Sequence, residues 1–243
     1  MKFNKPLLIF TCLSLLLMGC AHESEKKSAE KSPKVAPAVA APESPATATP
    51  ASVAVPASVL PVGPATPNPY LQTTQKFSEQ IEINFHDAVS AMEQKNWTHA
   101  QAVLEPLAAN NPSLSGVQLN LGIVYREQGQ KDKAADAFNR AIKANFKNVA
   151  AYNQLAVLKR EGGDFAGAET LYKKALDIWP FYPEGHKNIA ILYELYLAKP
   201  EQALPHYLAY QQLLPAPDKQ VDSWVADLQR RVNGAKKPTE GAQ

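Results

Sequence analysis

Four hydrogen-bonding side chains recur at intervals of 34 residues along this chain: His86, Asn120, Gln154 and Asn188. Amides and imidazoles both donate and accept, so a ladder of them can hold the backbone of an extended peptide with little demand on its side chains. The same groups can instead tie neighbouring structural units together or face water. Six residues further on stand Met92, Arg126, Arg160 and Glu194, with Lys187 beside Asn188. Two arginines one period apart suit an acidic side chain or a terminal carboxylate, because guanidinium bonds such groups bidentately. Each arginine is followed by a glutamate, Glu127 and Glu161, so an internally neutralised or solvated charge face is an equal reading of that pair.

Bond-making chemistry is less well served. The sequence holds no G-x-G-x-x-G, Walker loop, H-E-x-x-H or nucleophile elbow, and the five histidines, His22, His86, His99, His186 and His206, have no metal-ligand spacing. Both cysteines, Cys12 and Cys20, fall in the first twenty residues, which leaves the rest without a disulfide framework, thiolate cage or cysteine nucleophile. Gly162-Gly163-Asp164 reads as a turn in which glycine ends one helix and aspartate caps the next, rather than as a phosphate loop. With 25 Lys and Arg against 23 Asp and Glu, the net charge of +2 argues against a general nucleic-acid binder. No cofactor, metal or catalytic set is expected.

The amino terminus carries a different chemistry. Lys2 and Lys5 precede an apolar run from Pro6 to Met18, too short for the roughly 20 residues that span a bilayer, and it reads as an export signal over residues 1–19. Leu17-Met18-Gly19-Cys20 resembles the lipobox of bacterial lipoproteins, which implies acylation of Cys20 and a mature chain that begins there. More than one acyl chain gives stable anchoring at about 0.8 kcal/mol per buried methylene. In that family Ala21, where an aspartate would retain the protein at the inner membrane, implies sorting to the outer membrane. Residues 20–76 hold ten of the 20 prolines among Ala, Ser, Thr and Val, a composition that cannot bury enough apolar surface to fold. Such a tether of about 55 residues reaches on the order of 170 Å extended, or roughly 40 Å as a flexible coil.

A period of 34 organises the remainder of the chain. Ala100, Ala134 and Ala168 keep it strictly, and a fourth copy stands at Ala203 after one inserted residue; each is followed four residues later by Leu104, Phe138, Tyr172 or Tyr207. Upstream, Ala88, Gly122, Ala156 and Ala190 repeat it again, turn glycines recur at Gly129 and Gly163, and Pro112, Pro180 and Pro215 mark helix ends, with Phe146 at the equivalent place in the second copy. Small residues where two antiparallel helices cross let the backbones approach, and a large residue fills the space beside the contact.

These residues resemble the tetratricopeptide repeat. The second copy matches best, through Leu121-Gly122, Tyr125, Gly129, Ala134, Phe138 and Ala141. The third follows through Tyr152, Leu155, Ala156, Gly163, Ala168, Tyr172, Ala175 and Pro180. The first copy departs with Asp87 in the leucine position, and the fourth carries its insertion around Leu197 to Pro200. The resemblance implies an all-α superhelical stack of four hairpins over residues 77–216, a capping helix over 217–234 with Val221, Trp224, Val225 and Leu228 inward, and a flexible tail from 235 to 243.

In that family the first helix of each repeat lines the concave face, where the polar ladder falls, much like the asparagine ladders of other members. The expected function is therefore a non-enzymatic scaffold, lipid-anchored to the outer membrane and facing the periplasm. It would bind an extended peptide of another envelope protein through His86, Asn120, Gln154, Asn188, Arg126, Arg160 and Lys187. Such lipoproteins resemble pilot proteins of type IV pilus secretins and accessory factors of energy-coupling systems. An activator or accessory enzyme of peptidoglycan synthesis or remodelling is the alternative, and a glycan-binding module using Tyr152, Trp179 and Phe181 is a third reading.

Overall fold

The structure is a computed structural model that describes residues 59–61, 63–72 and 77–235, with residue 235 as backbone only. The expected export signal, Cys20, most of the expected tether and the expected flexible tail lie outside the described residues. Nine α-helices occur among them, in order: α1 (Glu79–Glu93), α2 (Trp97–Asn110), α3 (Ser115–Glu127), α4 (Lys131–Ala144), α5 (Val149–Glu161), α6 (Phe165–Ile178), α7 (Pro183–Ile191), α8 (Pro200–Leu213) and α9 (Lys219–Ala235), with a π-helical turn, Leu192–Tyr196, continuing α7. No strand occurs among the described residues. No described helix is long and apolar enough to cross a membrane.

The helices pair as antiparallel hairpins, α1 with α2, α3 with α4, α5 with α6 and α7 with α8, and each second helix packs on the first helix of the next hairpin. The small residues sit at the crossings: Ala88, Ala100, Ala134, Ala156, Ala168, Ala190 and Ala203 are wholly enclosed, as are Leu104, Phe138 and Tyr172 beside them. One hairpin has no second layer against which to bury its apolar stripe, so stacking supplies the core. On the last hairpin, α9 lays Val221, Val225, Leu228 and Val232 against α8, with Trp224 partly buried at their edge. Its remaining face is polar, which closes the open end of the stack.

Each hairpin turn needs one residue in the left-handed region. Gly129 (φ 76°) and Gly163 (φ 83°) supply it in the second and third hairpins, whereas Lys95 (φ 56°) and Ala198 (φ 52°) hold the same place in the first and fourth. Side chains at Asn96 and Asp164, one residue later, accept from His99 N and Gly167 N and so cap α2 and α6. Lys95 and Ala198 are both exposed, so a side chain there makes no packing gain to offset its strain. Lys95→Gly and Ala198→Gly are each expected to stabilise the fold by about 0.5–1 kcal/mol, the left-handed relief less the entropy that glycine adds to the unfolded chain. Urea denaturation followed by circular dichroism measures it, and a lower midpoint in either variant would contradict the assignment of strain.

The structure relocates the inserted residue of the fourth repeat. Ala190 still follows Ala156 by 34, but Ala198 follows Gly163 by 35, so the extra residue enters between Ala190 and Ala198. The π turn absorbs it: Leu197 N bonds Leu192 O at 3.1 Å, five residues back. A π turn accepts one extra residue without breaking the helix.

Candidate peptide-binding face

The helices that carry the ladder, α1, α3, α5 and α7, touch one another in sequence as well as their own partners, which places them on the inner side of the stack. His86 stands exposed on α1, while Asn120, Gln154 and Asn188 are half-buried on α3, α5 and α7. The structure divides these four groups. Gln154 Oε1 accepts a bond of 2.7 Å from Arg126 Nη1, which crosses from one repeat to the next. Asn188 Nδ2 donates at 2.9 Å to Oδ1 of the buried Asn153, again across a repeat boundary. His86 and Asn120 make no side-chain hydrogen bond among the described residues, so the amino-terminal half of the ladder has no internal ties of the kind made by Gln154 and Asn188.

The arginine pair divides in the same way. Arg126 Nη2 also meets Glu127 Oε1 at 2.8 Å, so its charge is answered within the chain, as one of the two sequence readings allowed. Arg160 is different: its Nε and Nη1 are enclosed without a hydrogen-bond partner among the described residues, and its guanidinium carbon lies 5.6 Å from the centre of the Tyr196 ring. The Tyr172 hydroxyl nearby is equally enclosed and unpartnered, and burial pushes its pKa up to about 12. Lys187 turns away from the ladder to Asp218 Oδ2 at 3.3 Å and to the Tyr210 hydroxyl at 3.5 Å, which fastens α7 to the start of α9. The Val221 backbone N–H, then Lys187 and Tyr210, hold the Asp218 carboxyl below its ordinary range.

Two consequences separate amides without an internal bond from those that carry one. Asn120→Ala is expected to leave stability within about 0.5 kcal/mol of the parent, since it removes no internal bond. Asn188→Ala is expected to cost about 1–3 kcal/mol, because Asn153 is then buried with an unmet acceptor. Denaturation curves for both variants check this, and equal losses would show that Asn120 has a structural role after all.

Some important groups were not apparent in the period. Asn153, one position before Gln154, is the receiving end of the Asn188 tie, and its position in the neighbouring repeats is occupied by Leu119 and Lys187. His186 and His206, 20 residues apart, meet at 2.9 Å between their Nδ1 atoms, while His186 Nε2 lies 2.8 Å from Pro180 O. Burial lowers the pKa of both, that of His206 to about 3 with help from His186 and Lys173. No group of three or more His, Cys, Asp or Glu side chains converges for a metal among the described residues. Tyr152 and Phe181 are packed to 8% exposure, so they offer no open stacking platform for a sugar.

A tetratricopeptide repeat family profile matches residues 88–145 and 119–183. The photosystem I assembly protein Ycf3 of Rippkaea orientalis is 32% identical over 121 residues, 45% of this chain and 68% of that protein. The Ycf3 of Synechococcus sp. is 23% identical over 112 residues, 42% of this chain and 65% of that protein. The chain thus spans about two thirds of the length of these two curated relatives. Among solved structures, Pseudomonas aeruginosa PilF superposes with a TM-score of 0.58 at 17% identity, covering 64% of this chain and 70% of that one. A thermophilic TPR protein of Thermus thermophilus superposes with a TM-score of 0.54 at 20% identity, covering 62% and 81%. At these identities the structural likeness is one of fold.

Proposed function

The chain belongs to the tetratricopeptide-repeat family, and on that premise we propose that it is a non-enzymatic scaffold anchored through Cys20 to the outer membrane on its periplasmic side. There it holds an extended segment of another envelope protein so that a multiprotein machine, such as a type IV pilus secretin or an energy-coupling system, can assemble. The observation that carries the binding role is the unpartnered pair His86 and Asn120 on the inner row of helices, next to amides of the same row that are spent on internal ties. A peptide backbone laid along α1 and α3 satisfies both groups without reading side chains. The naming of both curated relatives as assembly proteins accords with a chain that gathers other proteins.

A photo-crosslinking residue placed at Asn120 in living cells is expected to capture one envelope protein reproducibly, and capture only from the outer helices α2 and α4 would overturn the inner-face reading. The anchor rests on the Leu17-Met18-Gly19-Cys20 motif. Cys20→Ser is expected to move the protein into the soluble fraction, and continued membrane association would refute acylation at that residue.

A further inference from the structure

The described part of the tether lies against the repeats. Residues 63–72 fold back across the repeats, and two contacts fix their course. Trp179 Nε1, at the end of α6, donates to the Thr66 carbonyl at 2.8 Å, across 113 residues of sequence. The Tyr70 hydroxyl reaches the start of α3, within hydrogen-bonding range of the Ser115 side chain and the Gly116 backbone N–H, and burial raises its pKa. A Cβ on Gly116 would stand 3.0 Å from that hydroxyl, so the absence of a side chain there leaves room for the tyrosine.

The segment has the pattern of a polyproline ligand. Pro64 and Pro67 are spaced by three, the period of a polyproline II helix, and Gly63, at φ 127°, sets this short run off from the chain before it. That helix bonds none of its own carbonyls, so each is available to an outside donor. The receiving surface has matching parts. Trp179 stacks on Tyr182 with ring centres 5.6 Å apart and planes 20° from parallel, and the Tyr182 ring is itself buried. A flat aromatic pair with an indole N–H aimed at a backbone carbonyl is the arrangement by which proline-rich segments are recognised. Yet the segment from Gly63 to Pro67 remains exposed, without enclosure, as an exchangeable ligand would be and a core element would not.

We propose that Trp179, held in place by the buried Tyr182 ring behind it, is a recognition site for extended proline-rich peptide, filled in this chain by its own residues 63–69. The site lies at the loop edge of the third repeat and goes beyond the ladder reading of the inner face. Tethering gives the internal segment a local concentration of millimolar order, so an outside peptide competes only at comparable concentration or with help from a second contact. Displacement frees these residues and lengthens the tether by about 22 Å at ~3.1 Å each.

The test uses the indole ¹⁵N–¹H signals of the full chain, whose three tryptophans are Trp97, Trp179 and Trp224. Replacing residues 63–69 by a Gly/Ser stretch of equal length is expected to speed exchange of the Trp179 indole proton by about 3- to 10-fold, the equivalent of one net hydrogen bond. A synthetic peptide of residues 59–72 is then expected to restore the signal in that variant, and to give no binding heat with the same variant carrying Trp179→Phe, which keeps the stacking ring but lacks the donor. Three results would each overturn the proposal: an unchanged Trp179 signal on replacement, no response to peptide at millimolar concentration, or loss of helical circular dichroism in the Gly/Ser variant, which would make the segment part of the core.

Discussion

Gly122→Leu is expected to lower the stability of the array by about 3 kcal/mol or more, the upper end of the cost of overfilling a packed site. At Gly122 the backbone of α3 passes so close to the Phe138 ring of α4 that a Cβ would stand 2.5 Å from two of its carbons, and Phe138 is wholly enclosed. Even Gly122→Ala is expected to destabilise, although alanine is the better helix former by about 1 kcal/mol, because the ring has no free space into which to retreat. The first repeat shows the remedy. There Ala88 faces Leu104 across the same 16-residue offset, and both are fully buried. Gly122→Ala combined with Phe138→Leu should therefore recover part of the loss, a coupling readable from a double-mutant cycle in urea. If Gly122→Ala alone raised the midpoint, helix propensity would dominate and the close approach would have no energetic weight.

That pairing of small and large residues is why the architecture was legible in the sequence. A crossing that must admit two backbones restricts residue type at Ala88, Gly122, Ala156 and Ala190, and repetition makes the restriction visible. The place of the inserted residue was not legible in the same way, because every position between Ala190 and Ala203 preserves the flanking register equally well. Only the backbone decides, and it uses the five-residue bonding of Leu192–Tyr196. Lys95 and Ala198 were hidden for a related reason: the left-handed turn is a property of position, and these two residue types do not announce it.

The candidate site was legible as a set of positions and not as a set of partners. A period of 34 finds Gln154 and Asn188, but it cannot say that an arginine six residues beyond Asn120 is long enough to reach Gln154 in the next repeat, or that Asn153 waits for Asn188. Competition among neighbouring polar side chains settles which members of the row are spent. By the same logic the proline-rich stretch reads from composition as a plain tether, since nothing local marks Thr66 as the residue that meets Trp179.

Acid is expected to weaken the fourth hairpin well before the carboxylates titrate. His186 Nε2–H donates to Pro180 O, which leaves His186 Nδ1 as an acceptor for His206 Nδ1–H, so both rings are neutral in the fold. Burial, the neighbouring His186 ring and Lys173 together lower the His206 pKa from 6.5 to about 3. The unfolded chain therefore binds more protons than the fold at every pH below about 6.5, and stability falls as pH drops from there toward 3. At about 1.4 kcal/mol per unit of pH, His206 alone accounts for roughly 2 kcal/mol between pH 6.5 and pH 5. The carboxyls with lowered pKa, such as Glu105 and Glu169, add their loss only below their unfolded values of 4.5. Because the pair joins α8 to the start of α7, the first region to open should be the last hairpin with α9, which hydrogen exchange resolves by segment. His206→Gln keeps a donor for His186 and does not titrate, so its stability should fall between pH 7 and pH 5 by less than the parent's, the remainder being the share of the buried His186. Parallel pH profiles for the two proteins would place the acid sensitivity elsewhere in the molecule.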